Sequence, residues 1–151
     1  MSGRRNDKVA TLKDQLIGTW TLVSAVREEV PSGAKTELFG TSPHGFISYG
    51  ADGRMLALIT RGDRSGPASE RASGAEAEAL FRSMLSYGGR YTIAGNEVTH
   101  HVDISWNESF TGSRQTRTAT LDGDRLTLAT PLSPDPIDGK MSVRRMVWRK
   151  I

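Results

Sequence analysis

Three dipeptides do most to limit what this chain can fold into. Asp52-Gly53, Gly95-Asn96 and Asp122-Gly123 each lie between two runs in which apolar and polar residues alternate. A glycine beside Asp or Asn supplies the positive φ that a tight β-hairpin needs. The flanking runs pair as "GFISYG" with "RMLALIT", "GRYTIA" with "EVTHHVDISW", and "SRQTRTATL" with "DRLTLAT". Thr, Val, Ile and Tyr crowd them, as a half-buried pleated surface favours. "GTWTLVSAVREE" precedes them with the same alternation, and "SVRRMVWRK" ends the chain. The count is about eight strands, or nine if "KTELF" pairs. Hairpins in series make neighbours antiparallel, so the expected fold is all-β, an up-and-down barrel or a sandwich. A barrel of about eight strands is just wide enough to hold one small ligand.

Two helices interrupt the pattern. Residues 8–17 place Val9, Leu12 and Leu16 at helical spacing, which predicts a short N-terminal helix. In "ASGAEAEALFRSMLSYGG", Ser73 and Glu76 make a capping box, and Leu80, Phe81, Met84 and Leu85 make an apolar stripe. Gly88 and Gly89 are expected to stop this helix, which sits between strands. "RGDRSGPASERAS" and the proline-rich "TPLSPDPIDGK" read as loops. There is no internal repeat and no composition shift, so residues 1–151 are expected to form one domain.

Composition enters by what it excludes. Cysteine is absent, which removes disulfides, thiolate catalysis and cysteine-ligated metals together. No apolar run approaches the roughly 20 residues of a membrane helix. The start "MSGRRNDKVATLKDQ" has no apolar core of a secretory signal, so the expected location is the cytoplasm. That expectation discounts the "RGD" at 61–63 and the "NES" sequon at 107–109. The net charge of +3 is spread along the chain. Its one cluster, "RRMVWRK", alternates as a strand does, so no nucleic-acid partner is expected. No phosphate-binding loop, dinucleotide fingerprint or hydrolase elbow appears, so no cofactor is expected. His44, His100 and His101 have no metal-ligand spacing, so no metal is expected either. A homo-oligomer is compatible with the sequence.

Gly18 and Trp20 of "GTW" follow a short helix, and Arg149 lies in the final strand. This resembles the lipocalin pattern, in which an arginine of the last strand packs over the tryptophan at the closed end. The whole chain is similar to the bacterial and fungal lipocalin-like domain family. The resemblance is carried by "LIGTWTLVS", "PHGFISYGADGRM", "YGGRYTIAGNEVTHHVDIS", "GSRQTRTATLDGDRLTLAT" and "MVWRK", in that order. It implies a calycin-type barrel. It leaves function open, because some lipocalin-like proteins act as cyclases or isomerases in natural-product pathways.

With a barrel as the frame, side chains take alternate faces. Trp20, Leu22, Ser24 and Val26 share one face of the first strand. In "VTHHVDISW" the apolar row Val98, Val102, Ile104 and Trp106 includes His100 and is expected to face inward. A bulge between His100 and Trp106 would instead turn His101 and Asp103 inward. In the next run, counting back from Leu121 and Ala119 turns Arg117 and Gln115 inward. An imidazole and a guanidinium would then share an apolar cavity. Burial and the neighbouring charge hold such a histidine neutral, able to act as base or acceptor. The arginine suits a carboxylate, an enolate or another anionic oxygen. Gln115 is an orienting group, Tyr49 and Tyr91 are candidate hydroxyl donors, and Trp20, Met55 and Trp106 are candidate walls.

Two functions fit this constellation. One is a carrier for a small apolar molecule with an anionic or carbonyl head. The other is a cofactor-independent isomerase, cyclase or lyase, with His100 as acid or base and Arg117 stabilising an oxyanion. Against both stands a barrel filled by its own side chains.

Overall fold

The computed structural model describes residues 10–151. Helix α1 spans Leu12–Leu16, and α2 spans Gly74–Arg82. The barrel strands are β1 (Gly18–Glu29), β3 (His44–Tyr49), β4 (Arg54–Thr60) and β5 (Met84–Ala94). They continue as β6 (Glu97–Ser105), β7 (Arg114–Asp122), β8 (Arg125–Ala129) and β10 (Met141–Lys150). Each pairs antiparallel with the next, and β10 pairs back onto β1, which closes an eight-stranded barrel. Two short strands lie outside the ring. β2 (Lys35–Glu37) adds to β1, so part of "KTELF" does pair, and β9 (Ser133–Pro134) adds to β10.

The turns divide the barrel into two ends. The β3–β4, β5–β6 and β7–β8 hairpins all close at the end where β1 begins, beside α1. Gly95 and Gly123 have φ of 61° and 59° and are followed by residues without positive φ, the pattern of a type II′ turn. The other connections, residues 30–43, 61–83, 106–113 and 130–140, are long and emerge at the opposite end.

Helix α1 stops the first end. Thr11 and Asp14 form its capping box, and Leu16 is fully buried. Val9, expected in this helix, lies outside the described residues. The Trp20 indole donates to the Leu16 carbonyl at 2.9 Å. The cation over the Trp20 ring is Lys150, with Nζ 4.6 Å from the ring centroid, and not Arg149. The register pairs Trp20 with Lys150, two residues beyond the inward Trp148, and so turns Arg149 outward.

Three expectations change in detail. The second helix ends at Arg82, and "MLSYGG" is the first half of β5. The capping box of Ser73 and Glu76 is present, but Met84 to Gly89 pair with Thr60 to Met55, and sheet pairing overrides the helical spacing. In β1 the register slips between Leu22 and Ser24, so Ala25 and Arg27 turn inward where Ser24 and Val26 were expected. In β6 the slip falls at Asp103, after His100. Val98, His100 and Val102 stay inside, while Ile104 turns out and is 65% exposed. The bulge presses two backbones together. A Cβ on Gly89 would lie 1.9 Å from the His101 carbonyl oxygen, so only glycine fits there. Among the described residues no helix is long and apolar enough to cross a membrane.

Candidate functional site

Between the packed end and the long connections lies a cavity of about 410 Å³. Ile47, Ala57 and Ile59 of β3 and β4 line one side, with Leu128, Met146 and Trp148 of β8 and β10 across from them. Alternation on the pleat puts these apolar rows inside. The wall also holds polar residues, among them Tyr87, His100, Gln115 and Arg117. They come from β5, β6 and β7, three strands that neighbour one another in the sheet.

His100 is 1% exposed and stands opposite Tyr91 on one side and Gln115 on the other. Both of its ring nitrogens meet tyrosine hydroxyls. Nε2 is 2.6 Å from Tyr49 Oη, and Nδ1 is 2.7 Å from Tyr87 Oη. Burial lowers the His100 pKa to about 3, with Arg117 and then His101 pushing the same way. Burial also raises the Tyr87 hydroxyl to about 12, against a smaller downward pull from Arg117. Tyr49 is held well above the ordinary tyrosine value, again chiefly by burial. All three groups are neutral at neutral pH. A neutral imidazole has one donor and one acceptor nitrogen, so one tyrosine donates to it and the other accepts.

Arg117 brings a positive charge beside these three groups. Nη1 donates to the Thr116 carbonyl at 2.8 Å, and Nη2 reaches Gln115 Oε1 at 3.4 Å. Gln115 in turn donates to Ser113 Oγ at 3.0 Å. Among the described residues no carboxylate pairs with Arg117. Burial lowers its pKa, although a guanidinium does not give up its proton. The Trp148 indole N–H, buried in the same wall, also lacks an acceptor among the described residues.

Arg27 meets a different environment. The bulge in β1 turns it inward at the open end, where it donates to Asp138 at 2.7 Å and to Glu29 at 3.1 Å. Asp135, in the 130–140 loop, lies 3.6 Å from Arg27 and accepts from Arg144 at 2.9 and 3.1 Å. The Asp135 side chain has no exposed surface. Burial pushes its pKa up, but the Ile137 N–H, Arg144 and Arg27 outweigh that and hold it below the usual carboxylate value. The ion pairs fasten the loop across the cavity, and Pro131, Pro134 and Pro136 form part of its wall.

Of the residues singled out from sequence, the structure brings together His100, Arg117, Gln115 and Tyr49. Tyr49 supports the site from below, outside the cavity wall. Tyr91 packs edge-on to Tyr49 and donates to the Gly50 carbonyl at 2.6 Å. Met55 pairs with Tyr49 in the sheet, and the Trp20 side chain of β1 packs against α1, so both belong to the packed end. The Asp103 bulge turns Trp106 away from the cavity. It packs on Phe81 and Phe110, and its indole donates to the Phe81 carbonyl at 3.3 Å. His101 faces outward with Thr92, Asp103 pairs with Arg54 on the outer face, and His44 is exposed. The three histidines do not converge. Tyr87 escaped the sequence reading because "LFRSMLSYGG" looked helical. The alternation of Leu85, Tyr87, Tyr91 and Ile93 about the two glycines is the signal for it.

A barrel stopped at one end by a helix and a Gly-x-Trp strand, and hollow at the other, belongs to a class of fold that suggests small-molecule binding. The chain belongs to the lipocalin-like domain family, whose model matches residues 17–151. No curated protein matches it.

Proposed function

We propose that the protein binds a small, largely apolar molecule through an anionic or carbonyl head, with the body among the aliphatic side chains and the head against Arg117. The observation that carries this reading is an inward guanidinium that no carboxylate of the described chain neutralises. The half-buried Arg117 charge is partly withdrawn from water and is stabilised by a partner, and an acidic ligand brings one. Bidentate contact to a carboxylate or related oxygen pair is available to Arg117, and Gln115 steadies its outer nitrogen.

Octanoate and octanol test it, because they differ at the head and share a tail. Titration of tryptophan fluorescence is expected to show tighter binding of octanoate. Arg117→Gln is expected to weaken octanoate by about tenfold or more and to leave octanol nearly unchanged. Equal affinity of wild type and variant for octanoate refutes the role of Arg117. Native mass spectrometry of freshly purified protein, repeated after denaturation, detects a resident ligand directly.

The second reading is a cofactor-independent isomerase, cyclase or lyase acting through the same residues. It is favoured by the neutral imidazole behind Tyr87 and the guanidinium beside it, the parts of a proton-transfer site. Two observations weigh against it. Both imidazole nitrogens are engaged by tyrosines, and a base whose pKa is about 3 abstracts protons poorly. Turnover that His100→Gln abolishes while ligand binding persists would reverse this preference.

A further inference from the structure

We infer that Tyr87 is the second hydrogen-bond donor to the ligand, that the Tyr49–His100 pair aims its hydroxyl hydrogen into the cavity, and that Tyr87 and Arg117 together form an oxyanion subsite. This rests on the binding reading above and narrows it, from anionic or carbonyl heads to acids bound as their conjugate bases.

Tyr49 is buried below the cavity, and among the described residues its hydroxyl has a single partner, His100 Nε2. Were Nε2 to carry the imidazole hydrogen and donate it to Tyr49, the Tyr49 hydrogen would be stranded in the core. A buried donor without an acceptor is the costly arrangement. Tyr49 therefore donates to Nε2, and the imidazole hydrogen sits on Nδ1. Nδ1 donates it to Tyr87 Oη at 2.7 Å. The Tyr87 hydrogen then has no place on His100. Tyr87 lines the cavity, so that hydrogen is free for a ligand. His100 is a positioning residue here, and it stays neutral down to about pH 3, which keeps the arrangement intact at ordinary pH.

Two further donors share the wall with Tyr87. Gln115 stands opposite His100 in the β6–β7 register, and Arg117 Nη2 reaches Gln115, so the guanidinium lies beside the imidazole. Trp148 adds a buried N–H without an acceptor among the described residues. Asp135 also borders the cavity, but its carboxylate is taken by Arg144, Ser142 and the Ile137 N–H. A neutral carbonyl would satisfy the hydroxyl and leave the guanidinium charge unanswered. An oxyanion on an aromatic or aliphatic body satisfies both.

The probes are 4-nitrophenol and 4-nitroanisole, the same ring with its oxygen ionisable or methylated. The phenolate is coloured and the phenol is not. Wild-type protein is expected to bind 4-nitrophenol as the phenolate at a pH where the free probe is mostly protonated, and more tightly than 4-nitroanisole. Tyr87→Phe, which removes one oxygen, is expected to weaken phenolate binding about tenfold or more and to leave 4-nitroanisole unchanged. Thermal unfolding checks that the variant folds. Phenolate binding that Arg117→Gln removes and Tyr87→Phe leaves intact overturns the role of Tyr87, while the reading of Arg117 stands. Equal binding of both probes without colour overturns the oxyanion subsite and leaves an apolar cavity. Binding of neither overturns both readings. Nitrogen-15 NMR reads the tautomer independently, with His100→Gln to assign the signal. Hydrogen on Nδ1 is expected, and hydrogen on Nε2 overturns the positioning role of the Tyr49–His100 pair.

Discussion

The two ends of the barrel are built on opposite principles. At one end three tight hairpins, a capped helix and the Trp20–Leu16 contact pack closely, and polar groups there are paired. At the other end the connections are long, the wall keeps an inward guanidinium, and a buried ion-pair cluster holds a loop over a cavity. The difference shows how a small barrel divides its work. One end supplies stability by excluding water from apolar surface. The other keeps an inward guanidinium that no carboxylate of the described residues neutralises.

The largest effect that sharpens this contrast is expected from Trp20→Ala. Removing a fully buried indole from the packed end should cost about 3–5 kcal/mol, read as a lower midpoint in urea unfolding. Tyr87→Phe in the cavity wall should cost far less. Similar losses for the two would break the contrast.

Acid comes next. The unfolded chain protonates His100 near its ordinary pKa of 6.5, whereas the folded chain does so only near 3. Between those values the unfolded state binds more protons, so stability falls as pH drops. The slope from this one group approaches about 1.4 kcal/mol per pH unit. Urea unfolding between pH 7 and pH 4 should show it, and His100→Gln should flatten it. An unchanged slope in that variant would remove His100 from the account of acid sensitivity.

Asp135→Asn probes the open end. It leaves Arg144 and Arg27 without their shared buried carboxylate, and a loss of about 2 kcal/mol is expected. Hydrogen exchange should rise within residues 130–140 and stay low in the β7–β8 hairpin. The smallest effect is expected from Arg54→Gln. Its pair with Asp103 is on the outer surface, and exposed ion pairs contribute little to stability. A larger loss in urea unfolding would mean that the ion pair holds the β6 bulge.

The packed end was legible because its signals are local. A glycine at a hairpin, apolar residues at helical spacing and a two-residue alternation each act within a few positions. His100, Gln115 and Arg117 were legible for the same reason, since each belongs to an inward row with apolar neighbours. The features that escaped depend on a partner strand. The bulge at Val23, which buries Arg27, exists only in the pairing of β1 with β10. The bulge at Asp103, which turns out Trp106, exists only in the pairing of β5 with β6. A one-residue slip exchanges the faces of everything beyond it.

By itself the sequence determined an all-β barrel of about eight strands, its three hairpins, its capped helix and the presence of an imidazole and a guanidinium among inward rows. Only the tertiary structure decided what those groups touch. It took Tyr87 out of an apparent helix and into β5, placed it and Tyr49 on the two nitrogens of His100, and left Arg117 without a carboxylate among the described residues. Local spacing sets the conformation of a segment, whereas hydrogen-bond partners are chosen by strands 13 and 51 residues apart in the chain, and that choice is made only when the barrel closes.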